Sequence, residues 1–464
     1  MQDLVLLEPH QAELRAMLHT ETGAEAAAYV IFGRAQIGAD PWTGAPRTRF
    51  ISHAIRAIPE EDRVSASPLH ITWCTRGLVR ELGRAARDGL NLGIVHTHPG
   101  GRAVFSDQDD RNEADLARAI CNRYGPSHPF ISLLLAGDGG MAARIWSDNA
   151  VAPFQRIGVV GRRLRFLGSL GASNGDLGIL ERQARLFGPE VNKILRGMRV
   201  AIVGCGGTGS PVAMLLLRLG VGQLLLIDKD VVEVTNLNRV HGARRADVGT
   251  PKIEVLAREI RRADLGVAVA TLRAWAGAPE ARDALKACDV IFGCTDDHDG
   301  RALLNRFAYF YGVPLIDVGL RMTPAEGAQP YNMTTRLSVI APGGACLLCR
   351  GVIDPRRAAE EHLERTDPEG FRRLKAEAYV EGGGDPAPAV VTFTTEAATM
   401  AVNELMQALT GFRGAEGMAW GRFRRFETLE DRRVSVAARP GCQVCDDRAL
   451  WGRGDVDPFL YRAG

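Results

Sequence analysis

Three groups of residues in this chain have the types and spacing that chemistry needs. The first is a glycine turn. Gly204, Gly206, Gly207 and Gly209 follow the short apolar run Val200 to Val203 and precede Pro211 to Leu219, which reads as a helix. A strand, a glycine turn and a helix N-terminus make an anion site, because free amides point at phosphate and glycine lets the backbone come close. A second apolar run, Leu224 to Ile227, ends in Asp228, where a carboxylate can reach a ribose hydroxyl. Asp230, Asn236, Arg239 and Lys252 stand beyond it. A hydride-transfer site needs none of these four. A nucleotide attacked at its α-phosphate has a use for all of them, because charge builds on the phosphoryl oxygens. The run Asp289 to Gly293 leads to Thr295 and Asp296, at the sheet edge where such a site sits, and Asp296 there can hold Mg²⁺. On the glycines alone, a dinucleotide oxidoreductase stays open.

The second group is His96-Thr97-His98-Pro99, then six residues, Ser106, and Asp109 three further on. His-x-His puts two imidazoles on one side of a strand, and an Asp from the next helix can complete a three-ligand site. Three protein ligands plus water is the pattern of a catalytic zinc, which lowers the water's pKa to ~7. For His-x-His by itself, a metal-free pair of loop histidines reads better. The third group is Cys346-Leu347-Leu348-Cys349 with Cys442-Gln443-Val444-Cys445. Two such knuckles point to a closed Cys₄ zinc, structural because no ligand position stays open.

The elements around these groups are those of α/β units. Strands are expected at Ala26 to Phe32, Ile71 to Cys74 and Gly93 to Val95, the last delivering the histidines, with a helix over Leu78 to Asp88. Ile131 to Ala136 and Ala142 to Trp146 read as a hairpin around GDGG. Further on, Leu315 to Val318 is a strand, Tyr331 to Ala341 continues the sheet in antiparallel sense, and Thr395 to Phe412 is a core or dimer helix. Arg356 to Tyr379 reads as a solvated helix or mobile crossover loop, with modifier docking the lesser alternative. The domains are therefore expected at 1–155 and 181–464, joined by a solvated linker over 156–180 that holds the basic run from Arg162 and the turn-rich GASNGDLG. Lone histidines (His70, His128, His241, His298) read as surface or packing residues, and Cys74 and Cys121 as small buried hydrophobes.

Composition narrows the classes. A net charge of +2 over 464 residues implies no nucleic-acid partner. The N-terminal MQDLVLLEPHQAEL lacks the basic region of a signal peptide, and the apolar stretch Ala213 to Ile227 is broken by Arg218, glycines and Gln223, so no membrane span is expected. Nine cysteines, four of them in knuckles, read as a metal site in a reducing, cytoplasmic setting.

From Glu181 to Asp446, the strings GCGGTGS, IDKDVVEVTNLNR, the Lys of GTPK and the TDD ending at Asp297 resemble the ubiquitin-activating superfamily of ThiF-type adenylyltransferases. The resemblance implies Asp228 for ribose, Asn236, Arg239 and Lys252 for the phosphates, Asp296 for Mg²⁺, and ATP as substrate. Arg182, in ERQARLFG, matches the family's arginine that reaches the nucleotide of a partner subunit, which implies a homodimer. The family often has the cysteine pair. Over residues 1–155 the His-Thr-His-Pro, Ser, Asp string resembles the JAB/MPN (JAMM) metalloproteases. That resemblance implies Glu25, ahead of Glu21, as general base, Ser106 as hydrogen-bond donor to the oxyanion, and His96, His98 and Asp109 as ligands of a catalytic zinc.

The expected architecture is an N-terminal JAB/MPN α/β sandwich followed by a Rossmann-like ThiF-type adenylation domain with a structural zinc. The implied activity is activation of the C-terminal glycine of a ubiquitin-like protein together with cleavage after that glycine, as in bacterial ubiquitin-like conjugation and defence operons. Trimming and thiocarboxylation of a sulfur carrier, or a non-catalytic modifier-binding scaffold, are the alternatives. Gly351 to Thr394 contains no cysteine, and Cys205, Cys288 and Cys294 are poorly set for thioester formation, so a separate conjugating protein or sulfide is expected to take the adenylate.

Overall fold

Alternate residues of the first strand enter two different cores, and this explains the architecture. The computed structural model describes all residues except 22, 69, 127, 148–149, 169–176, 325–330, 377–387, 457–458 and 460–464. The N-terminal unit contains β1 (Gln2–Leu7), α1 (Glu8–Met17), β2 (Ala27–Ile37), β3 (Arg47–Ala57), β4 (Arg63–Ser67), β5 (His70–Trp73), α2 (Thr75–Arg87), β6 (Asn91–His98), α3 (Asp107–Tyr124), β7 (Phe130–Ala136), β8 (Met141–Ser147), β9 (Ala150–Pro153), β10 (Arg156–Val160) and β11 (Leu164–Gly168). Its main sheet runs β11-β10-β1-β3-β2-β6-β7-β8-β9, and β4-β5 is a separate hairpin.

The second unit contains α4 (Glu181–Phe187), α5 (Pro189–Gly197), β12 (Arg199–Val203), α6 (Gly209–Leu219), β13 (Gln223–Ile227), α7 (Lys252–Ala263), β14 (Ala268–Leu272), α8 (Pro279–Leu285), β15 (Val290–Gly293), α9 (His298–Phe310), β16 (Leu315–Pro324), β17 (Tyr331–Ile340), α10 (Pro355–Thr366), α11 (Pro368–Ala376), α12 (Val391–Thr410), β18 (Gly421–Arg425) and β19 (Glu430–Arg433). Its sheet runs β14-β13-β12-β15-β16-β17-β18-β19. The first five strands are parallel and the rest antiparallel. Helices cover both faces of the parallel part, so β12 is buried along its whole length rather than alternating.

The expected linker is corrected in part. Residues 156–168 form β10 and β11, and β10 pairs in parallel with β1 from Asp3↔Arg156 to Leu7↔Val160. The reason is the two-sided burial. Leu4, Leu6, Phe50, Ile157 and Val159 pack in a core of the N-terminal unit, while Val5, Leu7, Ile51, Val160 and Leu164 pack with the nucleotide unit's core. The arginines read as solvated are engaged as well. Arg156 pairs with Asp289 at 2.9 Å, and Arg162 Nε donates to the Met418 carbonyl at 2.6 Å. Most of GASNGDLG lies outside the described residues.

Buried polar groups tie the units further. Arg49 donates to the Lys286 and Cys288 carbonyls, both at 2.6 Å, and Arg199 pairs with Asp40 at 2.8 Å. The C-terminal segment then crosses back. Gly452 and Gly454 donate to the Tyr309 and Phe310 carbonyls, and the Asp455 amide donates to the Arg34 carbonyl at 2.9 Å. A Cβ at Gly33 would fall 2.1 Å from the Gly452 oxygen, so glycine permits this crossing. Among the described residues no helix is long and apolar enough to cross a membrane.

Arg356 to Tyr379, as far as it is described, is the mostly exposed helical segment that one reading expected, though two of its side chains are engaged. It forms α10 and α11, with 377–379 outside the described residues. Arg365 of α10 pairs with buried Asp299 and stacks on Trp275 at 3.4 Å, and Glu361 accepts from the Asp299 amide at 2.8 Å.

Candidate functional site

Strand order β13-β12-β15 brings three C-terminal strand ends side by side, with the strand order switching from one side of β12 to the other. The glycine loop follows β12, Asp228 and Asp230 follow β13, and Asp296 follows β15. Gly204 has φ +89°, and a Cβ there would meet the Cys294 carbonyl at 2.7 Å. At Gly209 a Cβ would sit 1.8 Å from the Gly204 oxygen. These two positions require glycine, and they leave α6 starting with its amides toward the loop. Gly206 is open, and Gly207 lets the Arg239 arm lie across it, with Arg239 Cδ 3.0 Å from where a Cβ would be.

The polar residues of this site hold one another in place. Asp228 is nearly buried and accepts from the Cys205 amide at 2.7 Å and the Asp230 amide at 2.8 Å. Burial pushes its carboxyl up, and Lys252 pulls it back. Lys252, the first residue of α7, has its ammonium 3.0 Å from Asp230. Asn236 is buried and accepts from the Glu233 amide at 3.2 Å. Arg239 donates to the Thr235 carbonyl and to Asn238 Oδ1. Asp296 is exposed, and its carbonyl accepts from Arg301 at 3.2 Å. Asp297 is instead the N-cap of α9.

Arg182 is not brought to this site. It is exposed on α4. The next residue, Gln183, donates to the Leu219 carbonyl at 3.2 Å, at the end of α6 remote from the glycines by about 15 Å of helix.

Two arginines here escaped the sequence reading. Asp317, 1% exposed, accepts from Arg301 at 3.1 Å and from Arg336 at 2.7 Å. The available signal was Arg301, one helical turn past TDD. The Cys294 thiol is pushed up by burial and then by Asp317. Burial also pushes up the Cys205 and Cys288 thiols.

The second cleft lies where β6 ends. Strand pairing sets Ala27 opposite His96, and Ala26 and Thr97 exchange hydrogen bonds, so Glu25 stands beside His98. Glu25 Oε1 is 3.7 Å from His98 Nε2. Asp109 lies 3.2 Å from His96 Nε2 and 3.6 Å from His98 Nε2. Glu25 is nearly buried and lines the cleft, whereas Glu21 is exposed and is not among its lining residues. His70 and Trp73, on the β4-β5 hairpin, line it too, although His70 read as a plain surface or packing residue.

Ser106 is the N-cap of α3. Its hydroxyl donates to Asp109 Oδ2 at 2.8 Å and accepts from the Asp109 amide at 3.2 Å. Burial would raise the Asp109 carboxyl, but the His96 imidazole beside it and hydrogen bonds from Ser106 outweigh that and hold it well below the usual carboxylate range. Burial and the neighbouring His96 keep His98 low, hence neutral and able to ligate. Burial pushes the Glu25 carboxyl up.

These residues fit a metal. His96, His98 and Asp109 offer ligand atoms within 4.8 Å of one another. His96 Nε2 is buried and lies 3.2 Å from Asp109 without hydrogen-bond geometry, as two ligands aimed at one ion would. The four knuckle cysteines fit a second ion. Cys346 and Cys442 sulfurs are 3.7 Å apart, and Cys349 and Cys445 are 3.6 Å apart. A tetrahedral zinc with bonds of about 2.3 Å puts sulfurs about 3.8 Å apart.

The fold and sites therefore define a Rossmann-like nucleotide unit joined to a unit with a histidine–aspartate cleft. A model of the ThiF family matches residues 180–444, more than half of the chain, and the protein belongs to that family. A model of prokaryotic homologs of the JAB domain matches residues 7–147. The SAMP-activating enzyme E1 of Haloferax volcanii is 34% identical over 162 residues, covering 35% of this chain and 56% of the relative. The adenylyltransferase and sulfurtransferase uba4 of Aspergillus terreus is 36% identical over 155 residues, covering 33% of this chain and 32% of the relative. The match thus spans about a third to just over half of these relatives' lengths. The crystal structure of E. coli MccB with ATP is similar at a TM-score of 0.44 and 18% identity, over 59% of this chain and 76% of that one.

Proposed function

We propose that the chain uses ATP to adenylate the C-terminal carboxylate of a ubiquitin-like protein, and that its N-terminal unit hydrolyses an amide bond formed at that carboxyl end. The observation that carries this is the gathering of Lys252, Arg239 and Asp228 around a glycine loop at three neighbouring strand ends. The relatives' names, an activating enzyme E1 and an adenylyltransferase and sulfurtransferase, support it.

In adenylation a carboxylate oxygen attacks the α-phosphorus and pyrophosphate leaves. The loop amides, Arg239 and Lys252 neutralise the growing phosphoryl charge, and Asp230 aims the Lys252 ammonium. Asp228 receives the ribose. Mg²⁺ held by Asp296 would offset phosphate charge. Arg182 serves the opposite site of a homodimer, since α4 sits at the wrong end of its own α6.

Zinc held by His96, His98 and Asp109 would supply a water acidified to a pKa of about 7. Glu25, whose carboxyl is raised by burial, takes and passes on the proton. Ser106 turns its hydroxyl from Asp109 toward the oxyanion.

The test is ATP–pyrophosphate exchange with Mg²⁺ and each ubiquitin-like protein of the same genome. Exchange that depends on Lys252 is expected, and none with any of them ends the activation reading. A specific observation also favours an external acceptor. Gly351 to Thr394 lacks cysteine, and burial pushes the Cys205, Cys288 and Cys294 thiols up, away from the thiolate form that attacks. The acceptor is then a thiol on a separate conjugating protein, or sulfide, as in sulfur-carrier chemistry. Mass spectrometry of the modifier after reaction with sulfide distinguishes a thiocarboxylate from a conjugate.

A further inference from the structure

We propose that Glu113 and Arg144 are a positioning pair for the histidine–aspartate cleft, fixing Asp109 and the loop before it against His96; this rests on reading that cleft as a zinc site. Glu113 lies one turn after Asp109 on α3, so both side chains share a face. It is 6% exposed, and its oxygens are occupied by donors from two strands. Oε1 accepts from Ser132 of β7 at 2.6 Å. Oε2 accepts from Arg144 Nε at 2.7 Å and Trp146 Nε1 at 2.9 Å, both on β8. Ser132 and Arg144 are directly paired across those strands. A single carboxylate therefore pins α3 to two neighbouring strands. Three donors thus hold it in place, although it lines the cleft.

Arg144 carries the constraint onward. It also pairs with Asp110, and its guanidinium lies 3.9 Å from the centre of the Phe105 ring. Phe105 immediately precedes Ser106, the cap of α3, and its ring centre is 6.1 Å from that of His96. The chain of contacts runs from β8 through Arg144 and Phe105 to His96, and from β8 through Glu113 to the helix that presents Asp109. Ligand atoms that must converge on one ion are thus set by groups that never touch it.

Removing Glu113 alone would strand a buried cation, so the test removes both charges in the full chain. Glu113→Leu with Arg144→Met replaces a buried ion pair by apolar volume, a change that often leaves stability intact. Phe105→Ala is the second variant, and since Phe105 is half-buried on a loop, its loss does not threaten the fold. Zinc and cobalt are titrated into metal-stripped protein, with the Cys₄ site as internal reference. Cobalt at thiolates gives intense charge-transfer absorption, and cobalt at the histidine–aspartate site gives only weak visible bands. Both variants are expected to bind the second ion about 10–100-fold more weakly, with altered visible bands and unchanged thiolate absorption. Parental affinity and bands in Phe105→Ala, or in a folded double variant, overturn the proposal. If the double variant does not fold, Phe105→Ala decides alone. If the parent takes up only the thiolate-bound ion, the zinc reading of the cleft fails and the positioning role falls with it.

Discussion

A fragment ending at residue 155, the boundary that composition suggested, should not fold as an independent domain. The cut removes β10 and β11 and leaves β1 paired with β3 alone, without its second parallel partner from Asp3 to Leu7. It also takes away Ile157, Val159, Val160 and Leu164, each no more than 4% exposed in the whole chain. At about 1.5–3 kcal/mol for each buried aliphatic side chain, the loss is about 6–12 kcal/mol. That figure is an upper estimate, since unfolded chains already bury some apolar surface. A domain's whole stability is about 5–15 kcal/mol, so the loss is comparable to everything available. Extension to residue 168 restores the strands but still exposes Val5, Leu7 and Ile51, which pack against the nucleotide unit. The assay is urea unfolding of fragments 1–155 and 1–168 beside the full chain, followed by near-ultraviolet circular dichroism. The shortest fragment should show no cooperative transition, and the full chain a single one. A sharp, two-state melt of fragment 1–155 would refute the shared-core argument.

Other outcomes follow from single sites. Purified without chelator, the full chain should hold close to two zincs; His98→Ala should hold one, lose peptidase activity and keep pyrophosphate exchange. Gly209→Ala forces a methyl to 1.8 Å from the Gly204 oxygen; the loop must shift, and exchange should fall about 100-fold with zinc content unchanged. Arg182→Ala mixed with Lys252→Ala should regain part of the lost exchange activity, because a mixed dimer keeps one site free of both changes; a fully active monomer by light scattering excludes this. Asp247 is held at about 2, chiefly by hydrogen bonds from Arg258. Its folded value lies below the unfolded one, so its contribution is full above about pH 4 and fades as pH falls toward about 2. Arg258→Met should flatten that acid limb in urea titrations, and an unchanged limb would count against the pair.

Local signals sufficed where function demands a fixed residue type at a fixed spacing. The glycine loop, His96 to Asp109 and the two cysteine knuckles could each be read from a few neighbours, because strand and helix periods set where their side chains go. What escaped depends on distant partners. Nothing near Arg156 announces Asp289, and nothing near Arg49 announces the Lys286 and Cys288 carbonyls. Arg156, at the start of a stretch that looks solvated, and Arg49 are buried here because a second unit supplies their acceptors. Glu113 was hidden for the same reason, since its three donors stand on β7 and β8. Long-range pairing, not local propensity, decided these positions.

The joint also bears on how the two proposed activities would coexist in one chain. It meets the nucleotide unit at the starts of β12 and β15, through Arg199, Asp289 and the turn at Lys286 to Cys288. The glycine loop and Asp296 lie at the other ends of those strands, about 15 Å away for a strand of this length. On the other side, the joint touches the end of β2, through Arg34 and Asp455, while the cleft lies at its start, opposite Ala27. From Ala27 to Arg34 an extended strand runs about 23 Å. Each site therefore faces away from the contact between the units. A modifier tail seated at one must leave it before entering the other. If both sites act as proposed, an adenylate formed at Lys252 would be held apart from the histidine–aspartate cleft, and activation and cleavage would be separate visits by the substrate.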